Sequence, residues 1–444
     1  MGRTAAAVVL AAAIGAFACP ATAEEGPFTE DDLDEAFAAM MADPSNLDLT
    51  FRYGQIATSV GNYEAAIAAF ERMLIFNPEL PRVYLELGAL YFRLESYEAA
   101  SDYFEQALAF DDVPPEVEQR VHAFLDRIEE RAAIHRVTYR LDVGARYQSN
   151  ANAAPGDTVL AGGIPARLDD EFQPRPDWNA FVAGSVEHVY DLGTQRGTTL
   201  ESDASLYVAR QNELKTLDLT YLRGRTGPRV PVFDGRASIR PFADVSLVWL
   251  GDEYYLGNFG GGVQVDTMLS SQVRLQTTAS GARRTFVNSD DRPNAAQQSG
   301  EQARLRARLS YAPSRTVLLT AFGGAERTFA AEDFNSYWQA NVGSRAFWNF
   351  VPPLESDEGR PLTEPWTVSA SVERLVRGYD DPNPIVDPTR KRRDREWRVG
   401  GQLAIPVLDG VNVFAAPQSN WVSSSLPNFE YTNHSVTLGL SGRF

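Results

Sequence analysis

Cysteine is almost missing. The 444-residue chain has one, Cys19, and only four histidines. A single thiol builds neither an intrachain disulfide nor a Cys-based zinc site, and four scattered imidazoles do not make a His-rich metal site. No cofactor is therefore expected. Positive charge is also short: 41 Lys and Arg stand against 59 Asp and Glu, a net −18. That balance argues against a nucleic-acid partner, because binding needs free cations to displace counterions. No apolar run reaches the roughly 20 residues of a transmembrane helix. A β-barrel stays open, since it crosses a membrane on alternating residues. No histidine is placed by pattern beside a Ser or Cys nucleophile, so no enzymatic activity is expected. Gly260-Gly261-Gly262 falls inside a strand pattern rather than between a strand and a helix, which excludes a phosphate loop.

What is present begins with an address. Arg3 precedes the apolar run Ala5 to Ala18, then the small-x-small pattern Ala21-Thr22-Ala23 and acidic Glu24-Glu25. This predicts a signal peptide over residues 1–23 and an exported mature chain without any thiol.

The next stretch repeats itself. Gly54, Tyr63, Ala65-Ala66 and Phe70 recur 34 residues on as Gly88, Tyr97, Ala99-Ala100 and Phe104, with Pro44 and Pro78 at matching positions. The period and the small-residue positions resemble tetratricopeptide repeats. The glycines let two helices approach closely. Ala66 and Ala100 suit the tightest crossing, and Phe70 and Phe104 fill the groove to the next repeat. Asp31 to Ala42 and Glu116 to Arg131 read as capping helices. Residues 24–135 are thus expected to be a short α-solenoid. Its concave face would carry Phe51, Gln55, Ser59, Arg82, Leu85, Phe92 and Arg93. These form either a partner groove or, for Phe51, Leu85 and Phe92, core between helices.

From Val137 the apolar period changes from 3.6 to 2. Val137, Tyr139, Leu141, Val143, Ala145 and Tyr147 alternate with Thr138, Arg140, Asp142, Gly144 and Arg146. Similar segments recur to the C-terminus, among them Ala303 to Tyr311 and Val436 to Phe444. About fourteen segments of roughly ten residues predict an antiparallel transmembrane β-barrel over residues 136–444. The fold class is therefore α + β in separate domains, a solenoid followed by a barrel. Strands holding Pro241 and Pro417 need a bulge or a break. Connections alternate short and long, except a long one from Asn349 to Pro365 on the short side. An even strand number returns both barrel ends to the periplasm, where the repeats would lie. Trp178, Tyr190, Trp249, Tyr311, Trp338, Trp366 and Trp397 suit the interfacial girdles that meet outer-membrane lipid.

Parity places Arg140, Asp142, Arg146, Glu201, Asp203, Arg240, Asp244, Arg274, Arg304, Arg306, Arg308 and Arg345 on the lumen side. They form a salt-bridged wall or a charged conduit. Arg390-Lys391-Arg392-Arg393 is expected in a long outer loop, either solvated or facing anionic lipopolysaccharide.

Signal peptide, two repeats and a barrel of about fourteen strands resemble the surface lipoprotein assembly modulators (Slam proteins), the outer-membrane components of type XI secretion. The most family-like stretch runs from Gly144 to Pro155 and includes Tyr147, Ser149, Asn150 and Asn152. The resemblance implies export of a client lipoprotein or soluble secreted protein across the outer membrane. The repeats would engage the client or a periplasmic chaperone. The terminal strand ending in Phe444 resembles the signal read by the barrel-insertion machinery. Polysaccharide export and plain solute permeation are the competing expectations.

Overall fold

The structure is a computed structural model describing residues 28–110, 113–132, 134–353 and 364–444. The expected signal peptide lies outside the described residues. Contacts divide the chain into two units, one ending at Ala133 and one starting at Ile134.

The first unit has helices α1 (Glu30–Ala42), α2 (Leu47–Val60), α3 (Tyr63–Phe76), α4 (Pro81–Arg93), α5 (Tyr97–Leu108) and α6 (Pro115–Ala132). Local chemistry sets their ends. Thr29 and Asp32 form a reciprocal capping box on α1. Asn46 and Asn62 cap α2 and α3, and Pro81 opens α4. Gly61 turns the chain out of α2 at φ +85°, a conformation that costs a Cβ-bearing residue more.

The two repeat glycines explain the repeat. A Cβ on Gly54 would stand 2.6 Å from the Phe70 ring, and one on Gly88 2.6 Å from the Phe104 ring. Each phenylalanine thus presses onto the glycine of its own repeat. Phe70 also joins Val83, Leu87 and Leu90 of the following repeat in one core cluster. Phe104 joins Leu85, Phe92, Val117, Val121 and Ile128 in a second. α6 closes that second cluster, so the array ends on a helix that shields its last apolar face.

The second unit is a closed antiparallel barrel of fourteen strands. It opens with β1 (His135–Gln148). A small hairpin follows in the first connection, β2 (Thr158–Ala161) and β3 (Ile164–Arg167). Then come β4 (Asp177–Asp191), β5 (Thr199–Gln211), β6 (Leu219–Val232), β7 (Ala237–Leu250), β8 (Glu253–Met268) and β9 (Val273–Phe286). The circuit continues with β10 (Gly300–Tyr311), β11 (Val317–Ala330), β12 (Tyr337–Phe350), β13 (Trp366–Pro382), β14 (Lys391–Leu408), β15 (Val411–Ser424) and β16 (Tyr431–Arg443). β1 pairs with both β4 and β16, which closes the ring. The β2–β3 hairpin is an addition that sequence alternation did not predict.

Outward positions are apolar and exposed: Val137, Tyr139 and Leu141 on β1, Leu305 and Leu309 on β10, Leu438 and Leu440 on β16. A continuous exposed apolar belt around a closed sheet is the surface of a membrane-spanning barrel. Because the strand number is even, β1 starts and β16 finishes at the same end of the barrel, the entry end.

The prolines sit where the ladder is interrupted. The β6–β7 register runs to Thr226↔Ala243 and resumes at Val230↔Ile239, skipping Pro228 and Pro241. The β14–β15 register likewise skips Pro417, which keeps its partner Val436 on β16. The strand ends that flank the long connection, Phe350 and Trp366, pair with each other at the entry end, and residues 354–363 lie outside the described residues. One expectation is corrected. Lys391, Arg392 and Arg393 belong to β14, not to a long loop, because β13 and β14 extend beyond their neighbours and pair as far as Pro382↔Lys391.

Candidate functional site

Adjacent strands bring inward side chains to about 5 Å of each other, so a carboxylate on one strand selects a guanidinium on the next. On β5 to β9 this yields one ionic lattice. Arg229 donates from Nε to Glu201 at 2.5 Å and from Nη1 to Asp266 at 2.7 Å. Arg240 reaches Glu201 at 3.3 Å and Asp203 at 3.2 Å, and Arg225 donates to Asp203 at 2.9 Å. Asp266 also accepts from Gln264, Arg274 and Gln276. A second lattice spans β10 to β14. Glu326 accepts from Arg304, Gln302 and Tyr337 at 2.7, 2.7 and 2.8 Å. Glu373 accepts from Asn341 at 2.8 Å and lies 3.5 Å from Arg398. The two lattices flank an internal cavity of about 830 Å³.

Seven of the inward residues assigned from sequence line that cavity: Glu201, Asp203, Arg240, Asp244, Arg304, Arg306 and Arg308. Arg274 stands on the same wall through Asp266. Arg140, Asp142, Arg146 and Arg345 share the inward parity without lining the cavity. Arg146 donates to Thr437 at 3.1 Å and covers the Phe181 ring, and Arg345 lies over the Phe347 ring. The sequence reading missed Arg223, Arg225, Arg229, Asp266, Glu326 and Glu373. Alternation in β6 carried the signal for three of them. Gly224, Gly227 and Pro228 diluted it.

The repeat unit keeps part of its expected face. Gln55, Ser59, Arg82 and Arg93 are exposed, and Phe51 is half-buried. Arg82 places its guanidinium 5.0 Å from the Phe51 ring centre, and Arg93 stands over Tyr63. Leu85 and Phe92 are corrected. They are buried core, because α6 packs over them and sets Phe124 5.4 Å from Phe92. An aromatic group that sequence reading passed over stands on α4 and α5. Tyr91 and Tyr103 stack at 5.2 Å, and both hydroxyls donate to Glu71, at 3.4 and 3.5 Å. Tyr84 joins them against Tyr103 and Phe110. Partial burial first, and the Glu71 charge second, push the Tyr103 phenol up to about 12. The i, i+7 spacing of Tyr84 and Tyr91 was the available signal.

The Gly144 to Pro155 stretch proves to be a clasp. Gly144 faces Gly439 across the closing seam, where a Cβ would stand 2.9 Å from the Gly439 Cα. Asn150 is buried. Its Nδ2 donates to Ala154 O at 2.9 Å and Thr432 O at 3.3 Å, and its Oδ1 accepts from Ala154 N at 3.0 Å. Ser149 Oγ accepts from His434 N at 2.9 Å. Asn152 donates to Gln173 O and accepts from Arg175 N, pinning both limbs of the first connection. Tyr147 packs against Trp178 on the outer surface, 5.1 Å between centres, and Pro155 lies in the connection itself. These residues build the far end of the barrel rather than touch the cavity. Beyond them, the hairpin turn donates from Gly162 and Gly163 to the carbonyls of Ile385 and Val386 at 2.7 and 2.8 Å. Asn428 pairs in both directions with Leu160.

A tetratricopeptide-repeat family profile matches residues 53–133. No curated protein matches the chain. Among solved structures, the chain is similar to the tetratricopeptide domain of P58(IPK), with 20% identity over 23% of this chain and 28% of that one, TM-score 0.22. It is similar to the Yersinia enterocolitica type III secretion chaperone SycD in complex with a peptide of the translocator YopD, with 18% identity over 23% of this chain and 82% of that one, TM-score 0.22. The barrel is similar to a bacterial polysaccharide outer membrane secretin, with 10% identity over 69% of this chain and 98% of that one, TM-score 0.35. At such identities these likenesses carry no functional argument.

Proposed function

We propose that this chain is an outer-membrane translocator that delivers a client protein, a lipoprotein or a soluble effector, to the cell surface. The observation that carries the reading is the union in one chain of a repeat array and a closed barrel with a polar, charged interior. Tetratricopeptide arrays are protein-recognition surfaces, and a plain solute pore has no need of one. In this reading the repeats stand in the periplasm and hold the client or its chaperone. The exposed Arg82 and Arg93 and the half-buried Phe51 are the contact residues. No nucleotide is at hand in that compartment, so directionality comes from differential binding and client folding.

The test is deletion of the gene and protease shaving of intact cells, following the secreted or lipid-anchored protein encoded beside it. The expected result is loss of surface exposure with the client retained inside. Unchanged exposure overturns the reading. Loss of an exported polysaccharide with the client unaffected would transfer support to sugar export.

A further inference from the structure

The acidity of the whole chain reverses inside the barrel. Nine arginines but only six carboxylates line the central cavity, in a protein whose net charge is −18. Most of the arginines are held by a carboxylate or an amide. Arg306 and Arg308 are not: among the described residues neither makes a hydrogen bond or an ion pair, and both are exposed to the cavity. The register explains why. Arg304 lies opposite Glu326, but Arg306 lies opposite Gly324 and Thr278, and Arg308 opposite Phe322 and Gln276. Neither has a carboxylate directly opposite it, and Glu326, two positions along the adjacent strand from Gly324, is bonded to Arg304. Gly324 also leaves the space into which Arg306 extends.

We infer that the lumen conducts small inorganic anions in preference to cations, and that Arg306 and Arg308 set that preference. Charged rings with uncompensated arginine select anions in pores, because an ion in a narrow water-filled passage cannot avoid their field. A bare guanidinium about 4 Å from a permeating ion in water-like surroundings shifts its occupancy about fivefold. Two such groups, with the paired arginines around them contributing little, give a clear excess of chloride over potassium. The inference needs only the barrel and is independent of what the repeats recognise. Its failure therefore leaves the export test untouched.

The experiment uses the full-length mature protein in planar bilayers under a potassium chloride gradient, reading the reversal potential. The wild type is expected to favour chloride at least about fivefold. The Arg306→Gln/Arg308→Gln double variant is expected to bring the permeability ratio close to unity. Glu326→Gln releases Arg304 and is expected to raise the chloride preference. The heat-modifiable shift of a folded barrel on gel electrophoresis confirms that each variant is closed before it is measured. Cation preference in the wild type, an unchanged ratio in the folded double variant, or a folded barrel that conducts nothing overturns the inference.

Discussion

Gly88→Ala separates helix propensity from packing. On an isolated helix the change stabilises by about 0.8–1 kcal/mol, because alanine orders at lower entropic cost. Here the added Cβ would sit 2.6 Å from two carbons of the Phe104 ring. That ring has no exposed surface and lies between Leu85, Ala100 and Phe124, stacked on the last at 5.0 Å. It cannot swing away, so α4 and α5 must part. Overpacking of a closed core costs about 1–3 kcal/mol, which outweighs the propensity gain in most of that range. The expected net loss is about 1 kcal/mol, or roughly 4–8 °C in the midpoint of a unit of this size. The assay is thermal melting of the full-length protein in detergent, followed by the helical signal at 222 nm. A midpoint that stays put or rises refutes the packing argument. Phe104→Leu added to Gly88→Ala supplies the internal check. If ring and Cβ collide, the double variant loses less than the two single losses together.

Three further outcomes are expected. Asn150→Ala removes three buried bonds, leaves the Ala154 amide and carbonyl unpaired, and lowers barrel stability by about 1–3 kcal/mol, read from the urea midpoint of the heat-modifiable band. The Thr29 bonds hold the Asp32 carboxyl below its usual value. The capping contribution is therefore complete above the ordinary carboxylate range and is lost as pH falls through the lowered value. Amide exchange in α1 should accelerate on acidification below pH ~4, and Asp32→Asn, which cannot titrate, should abolish that dependence. The raised Tyr103 phenol stabilises the repeats below its ordinary value and loses that contribution as pH rises toward about 12. An absorbance titration should show late-ionising tyrosines, Tyr103 and its stacked neighbour Tyr91 among them, and Glu71→Gln should bring these two down.

The parts legible in the sequence are those that one strand or one helix determines alone. Alternation along Val137 to Tyr147 declares two faces whatever the neighbours are, so the barrel and its fourteen strands follow from period and length. Gly54 and Gly88 announce their close approach because only one residue type fits. What was hidden depends on partners. Leu85 and Phe92 look available until α6 is laid over them. Arg304, Arg306 and Arg308 look alike until the register gives one of them Glu326 and the other two nothing. The boundary of β14 was misjudged because charged residues normally mark a loop. Here Arg392 turns inward to Asp394 and lies 3.4 Å from the Phe429 ring centre, which makes its charge part of the wall.

The clasp at Asn150 has a kinetic consequence. Asn150's partners Thr432 and Asn433, and Ser149's partner His434, stand at the start of the final strand, while Ser149 and Asn150 follow the first. Residues nearly three hundred positions apart can meet there only once the circle is complete, so these bonds are absent from every open precursor. Disabling the clasp should leave the rate of insertion unaltered and hasten escape from the finished state, the behaviour of a latch rather than of a nucleus.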